Sequence, residues 1–304
     1  MAIVNACRRH SIADNLFMVL LYILFGIITL LCIYPFYYLF INSISANDAS
    51  ASGKVIFYPM NIHFKNYLDI VQIPGLAQSA FISVARTTVG TFGTLLGSTL
   101  LGFMFTQQKM WGRKFWYRIV VAPMYFSAGL IPWYITMLNL GLLNNFLVYI
   151  LPAIVQPFYI ILIKTYVEGI PAEMQEAAEI DGAHVLRIYA QIILPVSLPI
   201  IATVAIFSAV GQWNSFQDTL LLVTNQDLYP LQFTLYRYIS QASSLAALIK
   251  SSSGSAFISD MKTMQTPISV RMTVSVVVVL PILFVYPFFQ RYFIKGIMIG
   301  SVKG

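Results

Sequence analysis

Charged residues are scarce in this sequence. Of its 304 residues, 10% are Asp, Glu, Lys or Arg and 58% are apolar. An ordinary soluble domain carries roughly a quarter of its residues as charged side chains. So few charges cannot cover a water-soluble surface of this size, and long uncharged apolar runs recur along the chain. The composition therefore predicts an all-α membrane protein with several spans.

Cysteine and histidine are also rare. The two cysteines and three histidines are spread without the spacing of a metal site or a disulfide framework: they are Cys7, Cys32, His10, His63 and His184. We therefore expect neither a bound metal nor catalytic residues in this chain. The absence of a metal or nucleophile constellation disfavours a membrane-embedded enzyme.

Carboxylates are missing from the apolar stretches. A helix needs about 20 apolar residues to cross a bilayer, and six stretches qualify: 16–41, 81–106, 119–140, 146–163, 196–216 and 272–289. None contains Asp or Glu. Buried carboxylates usually carry the protons of secondary carriers, so a proton-coupled carrier is disfavoured and the energy for transport is expected to come from elsewhere.

A phosphate-binding loop is absent as well. The sequence contains no G-x-x-x-x-G-K-[ST] pattern, since Gly53-Lys54 is followed by Val55. In many ATP-hydrolysing proteins, that loop binds the phosphates of the nucleotide. The chain is therefore not expected to hydrolyse ATP itself.

Positive charge is concentrated in particular segments. The net charge is +7, and most of the 18 Lys and Arg residues fall on the inner side if the N-terminus is cytoplasmic. Short basic loops stay in the cytoplasm, so we expect both termini inside and no nucleic-acid partner. The first apolar run is too long for a signal peptide. We therefore interpret residues 1–15 as a cytoplasmic N-terminus and residues 16–304 as one transmembrane domain.

The second apolar stretch is rich in small residues and contains a single cation. Gly93 and Gly97 form a small-xxx-small pair, which lets two helices approach closely and favours a helix inside a bundle. Arg86 lies near one end of the stretch. Two interpretations stay open: it snorkels toward the interface, which we favour, or it contacts substrate.

Amides and aromatic residues meet at the end of the fifth stretch, at Gln212, Trp213, Asn214 and Gln217. Aromatic faces with amide partners suit sugar rings. Trp213 could equally belong to an interfacial aromatic belt. We predict these residues, with Arg86, as a substrate pathway.

All four glutamates lie close together between the fourth and fifth stretches, where Glu173 and Glu176 follow Pro171. Proline and acidic residues favour a helix start, and Gly182 is a natural stop. A second helical stretch, 184–193, follows. We therefore predict a helix, a turn and a helix outside the membrane, with Ala177 and Ala178 as a flat contact patch.

This segment resembles the EAA signature of importer-type ABC transporter permeases. The resemblance rests on Glu176-Ala177-Ala178, Asp181-Gly182-Ala183 and Ile193-Leu194-Pro195. The wider chain is similar to maltose-permease-like proteins of the carbohydrate branch, and especially to LplC-like and alginate-permease-like members. Shared features are Gly129-Leu130-Ile131-Pro132, Leu140-Gly141-Leu142, Trp213-Asn214 and Tyr292-Phe293-Ile294-Lys295-Gly296.

The resemblance implies a coupling role for the EAA loop, about 169–195. The coupling contact with the ATP-binding subunit would comprise Glu176, Ala177, Ala178, Asp181 and Gly182. The implied partners are a second permease, two ATP-binding subunits that use ATP and Mg, an extracellular solute-binding protein and membrane lipid. Many LplC-like relatives have Asn where this chain has Gln156, so a polar pore position is not transferred from them.

These observations together predict the permease subunit of an ATP-driven importer in the cell membrane. The expected substrate is an oligosaccharide, with acidic or modified sugars included because of the alginate-type resemblance, Arg86 and Arg237. The alternatives are an amino-acid or peptide importer and, less favoured, a secondary carrier. The long outer loop, about 218–271, is interpreted as a docking surface for the binding protein, with a flexible connection as the alternative.

Overall fold

The computed structural model describes residues 12–126, 128–251 and 267–301, and this part of the chain contains helices and no strand. The first four helices are α1 Ile12–Ser43, α2 Asn47–Ala51, α3 Lys65–Val71 and α4 Leu76–Met104. The next four are α5 Arg113–Val121, α6 Leu130–Asn139, α7 Leu151–Ile154 and α8 Pro157–Glu168. Then follow α9 Glu173–Ile180, α10 Val185–Ile188, α11 Leu194–Val196 and α12 Leu198–Asn214. The last three are α13 Gln217–Leu222, α14 Leu231–Ser251 and α15 Pro267–Ser301.

Short helices of other types join these elements. Three 3-10 helices cover Ala122–Met124, Phe146–Tyr149 and Gln226–Leu228. A π-helix, Tyr189–Ile193, continues α10. π-Helical turns are rare and are frequent at functional sites.

Among the residues that the structure describes, two helices are long and apolar enough to cross a membrane unbroken, at Asp14–Ser43 and Ile268–Val285. Three further pairs of helices qualify when each bent pair is taken as one span, which gives up to five. The fourth predicted stretch is such a pair: Phe146–Ile154 and Pro157–Glu168 meet at 41°. Prolines at the starts of α7 and α8 account for the bend, because proline cannot continue the hydrogen-bond ladder of the preceding helix.

The third predicted stretch, 119–140, does not form one continuous helix. It is divided among the end of α5, a 3-10 turn and α6, which begins at Leu130. Gly129, with φ +86°, ends the connection before α6. The apolar run predicted one helix that is longer than any helix observed in this segment. The count of six spans stays a prediction.

The described part of the chain forms two compact bodies. The first body contains the described residues up to Asp69 and between Ser244 and Val276, and the second contains those between Ile70 and Ser243 and from Val277 onward. In the first body, a buried amide holds the turn that follows α1: Asn42 donates to the carbonyl oxygens of Tyr38 and Val55 and accepts from Ser50. Buried polar groups of this kind are stable only when hydrogen-bonded. The network fixes the course of the chain from α1 into α2.

In the second body, α4 is the central helix, and α7, α8 and α12 pack against it. Close approach is possible because glycine faces those neighbours. A Cβ on Gly97 would lie 2.5 Å from the carbonyl oxygen of Ile154, and one on Gly93 would lie 3.3 Å from the Ile154 side chain. This confirms the prediction that the glycine pair marks a tightly packed helix.

The predicted outer loop, about 218–271, contains regular structure. Its described part holds nearly all of α13, the Gln226–Leu228 turn, all of α14 and the start of α15. Residues 252–266, like the N-terminal residues 1–11, lie outside the described part of the chain.

Candidate functional site

A cavity of about 300 Å³ lies beside α4 in the second body. Residues from α4, α6, α8, α12 and α13 and from the segments just before α7, α8 and α13 line it: Arg86, Thr94, Trp133, Tyr149, Gln156, Tyr159, Ser208, Gln212, Ser215 and Asp218, with a few apolar neighbours. The volume is at the lower end of the range for small-molecule sites. Aromatic rings, amides and hydroxyls in one cavity provide stacking faces together with donors and acceptors.

An ion pair stands in the wall of this cavity. Arg86 Nη2 lies 2.5 Å from Asp218 Oδ2, and the two side chains are 2% and 15% exposed. Arg86 also donates to Asp218 Oδ1, to the carbonyl oxygen of Ser215 and, through Nε, to Gln212 Oε1. Its Cζ lies 4.3 Å from the centre of the Tyr149 ring. Four hydrogen bonds and a cation–π contact thus hold one buried guanidinium.

These contacts contradict the favoured interpretation of Arg86. A snorkelling arginine extends its head group toward water, whereas this one is almost fully buried and paired within the chain. Four of its five N–H groups already donate to protein atoms. Arg86 therefore has a structural role, because it links α4 to the start of α13. The carboxylate that neutralises it follows the fifth stretch and was not singled out in the sequence.

The predicted pathway residues divide between two places. Gln212 lines the cavity and donates to the carbonyl oxygen of Tyr149. Trp213 instead donates to the carbonyl oxygen of Val278 and lines an apolar crevice beside α15. Asn214 is exposed and donates to the carbonyl oxygen of Val210, and Gln217 is also exposed. Of the four, the structure brings only Gln212 to Arg86.

Gln156 and Tyr159 line the cavity but were not among the predicted pathway residues. Gln156 precedes α8, is partly buried, and its amide makes no hydrogen bond within the described part of the chain. Tyr159 lies one turn further on and also lines the cavity. The sequence feature that could have predicted these two residues was an amide close to an aromatic ring within an apolar stretch. No local pattern, however, showed that this part of the stretch faces α4.

The predicted coupling helix is α9. It ends in a Schellman motif: Ala183 N–H donates to the Ala178 carbonyl, Gly182 N–H donates to the Glu179 carbonyl, and Gly182 has φ +79°. Only glycine adopts this conformation without strain. The predicted stop at Gly182 is confirmed, and the observed helix begins at Glu173.

The two faces of α9 differ. Ala178 packs with Ala183 against a buried cluster that contains Phe103, Val167 and Ile188. Glu176, Ala177 and Asp181 are exposed, and the Ile180 side chain is 87% exposed. A helix with one face in the core and a mixed acidic and apolar outer face is suited to contact another protein.

The connection between α4 and α5 braces α9. Gln107 Nε2 donates to Gln175 Oε1 over 3.2 Å, and Lys109 Nζ lies 2.5 Å from Glu179 Oε2. Glu179 is therefore already paired within the chain. This brace is also absent from the sequence reasoning, because residues 107 and 179 are far apart along the chain.

The π-helix after α10 connects the segment that follows α9 to α4. The hydroxyl groups of Tyr189 and Thr99 are 2.7 Å apart, and the ring of Tyr189 lies 5.4 Å from that of Phe103. Arg86 is on the same helix, about 20 Å from Thr99 at 1.5 Å per residue. One packed helix thus contacts both the cavity and the segment that follows α9.

Comparisons with known proteins identify the family. The chain is 32% identical over 293 residues to the polygalacturonan/rhamnogalacturonan transport system permease protein YtcP of Bacillus subtilis, covering 96% of this chain and 99% of that protein. It is 34% identical over 283 residues to protein LplC of the same organism, covering 92% and 91%. This chain is a carbohydrate-branch ABC transporter permease. No family model matches it.

A solved structure agrees with this assignment. The permease superposes with a TM-score of 0.81, at 29% identity, on a chain of a bacterial ABC transporter involved in the import of the acidic polysaccharide alginate. The match covers 93% of the permease and 98% of that chain. Membership in this family makes the permease a membrane transport subunit rather than an enzyme. It also implies that ATP is used by partner ATPase subunits and that a binding protein takes part.

Proposed function

We propose that this permease imports an oligosaccharide through the cavity beside α4, as one of two membrane subunits driven by two ATP-binding subunits. The cavity carries the proposal because it combines unpaired amide and hydroxyl groups with aromatic rings in a bundle of bent apolar helices. Sugars with carboxylates fall within the proposed class, since relatives are named for polygalacturonan and alginate.

The proposed energy input is at α9. Closure of the ATP-binding subunits would move α9, whose inner face is packed against the cluster around Phe103. The displacement would reach α4 through the Tyr189–Thr99 contact and would alter the walls of the cavity. Coupling of this kind requires that ATP and the loaded binding protein each favour one state of the bundle.

The proposed topology places both termini in the cytoplasm, the EAA loop 169–195 on the same side and the segment 218–271 outside. Its support is the distribution of Lys and Arg in the sequence. In this orientation the N-terminal end of α4 is extracellular. The segment 218–271 is then available to the binding protein, and α9 is available to the ATPase.

Reconstitution tests the proposal. The permease, purified with its copurifying permease and ATPase and supplied with the binding protein, should take up oligosaccharide in proteoliposomes only when ATP is present. Uptake without the ATPase, or copurification as a lone homodimer that transports, would contradict it and support a secondary carrier.

A cavity variant tests the passage itself. Gln156→Leu removes an amide that has no partner within the described chain, so uptake should fall up to about tenfold, the value of one hydrogen bond, while the complex still assembles. Asn139→Leu, at an exposed amide at the end of α6 that does not line the cavity, is the matched control. Equal uptake in both variants would remove Gln156 from the pathway.

A further inference from the structure

A second cavity lies at the N-terminal end of α4, also within the second body. Its volume is about 300 Å³, and it is enclosed by residues 73–79, the Gln226–Leu228 turn and the first half of α14. Its lining includes Gln226, Tyr229, Arg237, Tyr238 and Gln241. This set again joins aromatic rings with amides, and it adds a cation.

The frame of this cavity is held by hydrogen bonds that leave the lining groups available. Gln78 Nε2 donates to the Asp227 carbonyl, and Ser79 Oγ lies 3.1 Å from Thr234 Oγ1. These two contacts tie the start of α4 to the turn and to α14. The Tyr229 hydroxyl donates to the Thr224 carbonyl, which fixes the ring.

Arg237 is held in a different way from Arg86. Its Cζ lies 5.5 Å from the centre of the Tyr229 ring, and the side chain is exposed. No carboxylate forms an ion pair with it within the part of the chain that the structure describes. Arg86, in contrast, is neutralised by Asp218 and has four N–H groups in use. Of these two arginines, Arg237 is the one whose guanidinium can accept a new anion.

We propose that this second cavity is an entry subsite for a carboxylate-bearing sugar unit. Arg237 binds the carboxylate through two parallel hydrogen bonds, the geometry that a guanidinium favours. The ring of Tyr229 orients the guanidinium, Tyr238 offers a face to the sugar ring, and Gln226 and Gln241 meet its hydroxyl groups. The inference rests on the proposed import of oligosaccharides and adds the subsite and the cation that recognise an acidic unit.

The same reasoning gives the first cavity a different role. There the only cation and the only carboxylate among the described lining residues cancel each other. A sugar unit in the first cavity therefore meets amides, hydroxyls and aromatic rings, with no uncompensated charge. Discrimination between acidic and neutral oligosaccharides by the permease belongs to the subsite at Arg237.

The test uses the whole complex in proteoliposomes with oligogalacturonates and alginate oligomers as probes, each beside its methyl-esterified form. The measured quantity is the ratio of acid to ester uptake at subsaturating probe. Arg237→Gln should lower that ratio about tenfold or more, because charge-assisted hydrogen bonds are lost. Arg237→Lys should give an intermediate ratio of acid to ester uptake, because the positive charge is kept. Lys65→Gln, an exposed cation of the first body, should leave the ratio unchanged.

The outcomes separate this inference from the proposed function. Uptake of acids with an unchanged ratio in Arg237→Gln would overturn the subsite and leave import intact. A parallel fall in acid and ester uptake would also overturn it, since it would assign Arg237 to folding or docking. Failure of the wild-type complex to import any of the probes, acid or ester, would contradict the acidic-oligosaccharide part of the proposed function and the subsite with it.

Discussion

At the scale of single residues, the Arg86–Asp218 pair dominates the second body. A buried ion pair adds little net stability over an apolar pair, but removal of one partner leaves an uncompensated buried charge. Asp218 is mostly buried, and it receives two of the hydrogen bonds of Arg86. Removal of one member of the pair is therefore expected to lower the stability of the permease more than removal of both.

We expect Asp218→Asn to destabilise the permease by about 3–5 kcal/mol, the typical effect of breaking a buried pair. The double variant Arg86→Met with Asp218→Asn should recover much of this loss, because no buried charge remains. Thermal unfolding of the purified protein in nanodiscs measures both. A double variant that is less stable than the single one would show that the two residues act independently.

Glycine contacts give a second prediction at this scale. Gly97→Ala places a methyl group 2.5 Å from the Ile154 carbonyl oxygen, so α4 and α7 must separate. The expected loss of stability is about 1–3 kcal/mol, as for overpacked cores. Gly26→Ala in α1, where no atom lies within 4 Å of the new group, is the control and should be neutral or slightly stabilising. Equal melting temperatures for both variants would contradict the close packing of α4.

At the scale of elements, the turn after α9 decides how that helix is held. Its Schellman motif needs a left-handed residue, and Gly182 supplies it at φ +79°. The π-helix that follows places Tyr189 against Thr99. The proposed coupling therefore depends on the rigidity of a turn and a hydroxyl contact rather than on one long helix.

We expect Gly182→Val to uncouple ATP hydrolysis from uptake while the protein remains in the membrane. A β-branched residue at this φ is strained by roughly 1–2 kcal/mol and would re-aim α9. Gly53→Val, at φ +69° with equally open surroundings in the first body, carries a similar strain away from α9 and should keep uptake per ATP close to wild type. Full uptake by Gly182→Val would remove the turn from the coupling path.

At the scale of the whole molecule, the charges on and around α9 bear on the proposed contact with the ATPase. Glu179 is paired with Lys109, and Glu168 is paired with Lys164 within the chain. Glu176 and Asp181 are exposed on the outer face. We therefore expect basic residues of the ATPase to meet Glu176 and Asp181 rather than the paired carboxylates of Glu168 and Glu179.

Glu176→Lys should weaken copurification of the ATPase, and reversal of one contacting Lys or Arg of the ATPase to Glu should restore it. Pull-down with quantification of the bound ATPase measures this, and the effect should shrink at high salt. Asp48→Lys, an exposed carboxylate in α2, is the matched control and should bind normally. If Glu176→Lys reduces the amount of bound ATPase and no charge reversal on the ATPase restores it, Glu176 has only a local structural role.

Some features of this permease were readable from the sequence because they are local. Apolar runs gave the membrane class, and their lengths placed α1 and most of α4. Gly182 predicted the end of α9. The residues of the candidate site were harder to predict from the sequence. Gln212 and Arg86 were predicted together as pathway residues, whereas Asp218, the ion-pair partner of Arg86, and the cavity residues Gln156 and Tyr159 were not.

The sequence by itself therefore determined the class of this protein and the position of its EAA segment, since both depend on residues close together along the chain. Only the tertiary structure decided that Arg86 is neutralised, because its carboxylate lies 132 residues away. The same holds for the Tyr189–Thr99 contact, across 90 residues. Helical periodicity fixes which face a side chain occupies on its own helix, but the neighbour that this face meets depends on how helices pack around α4.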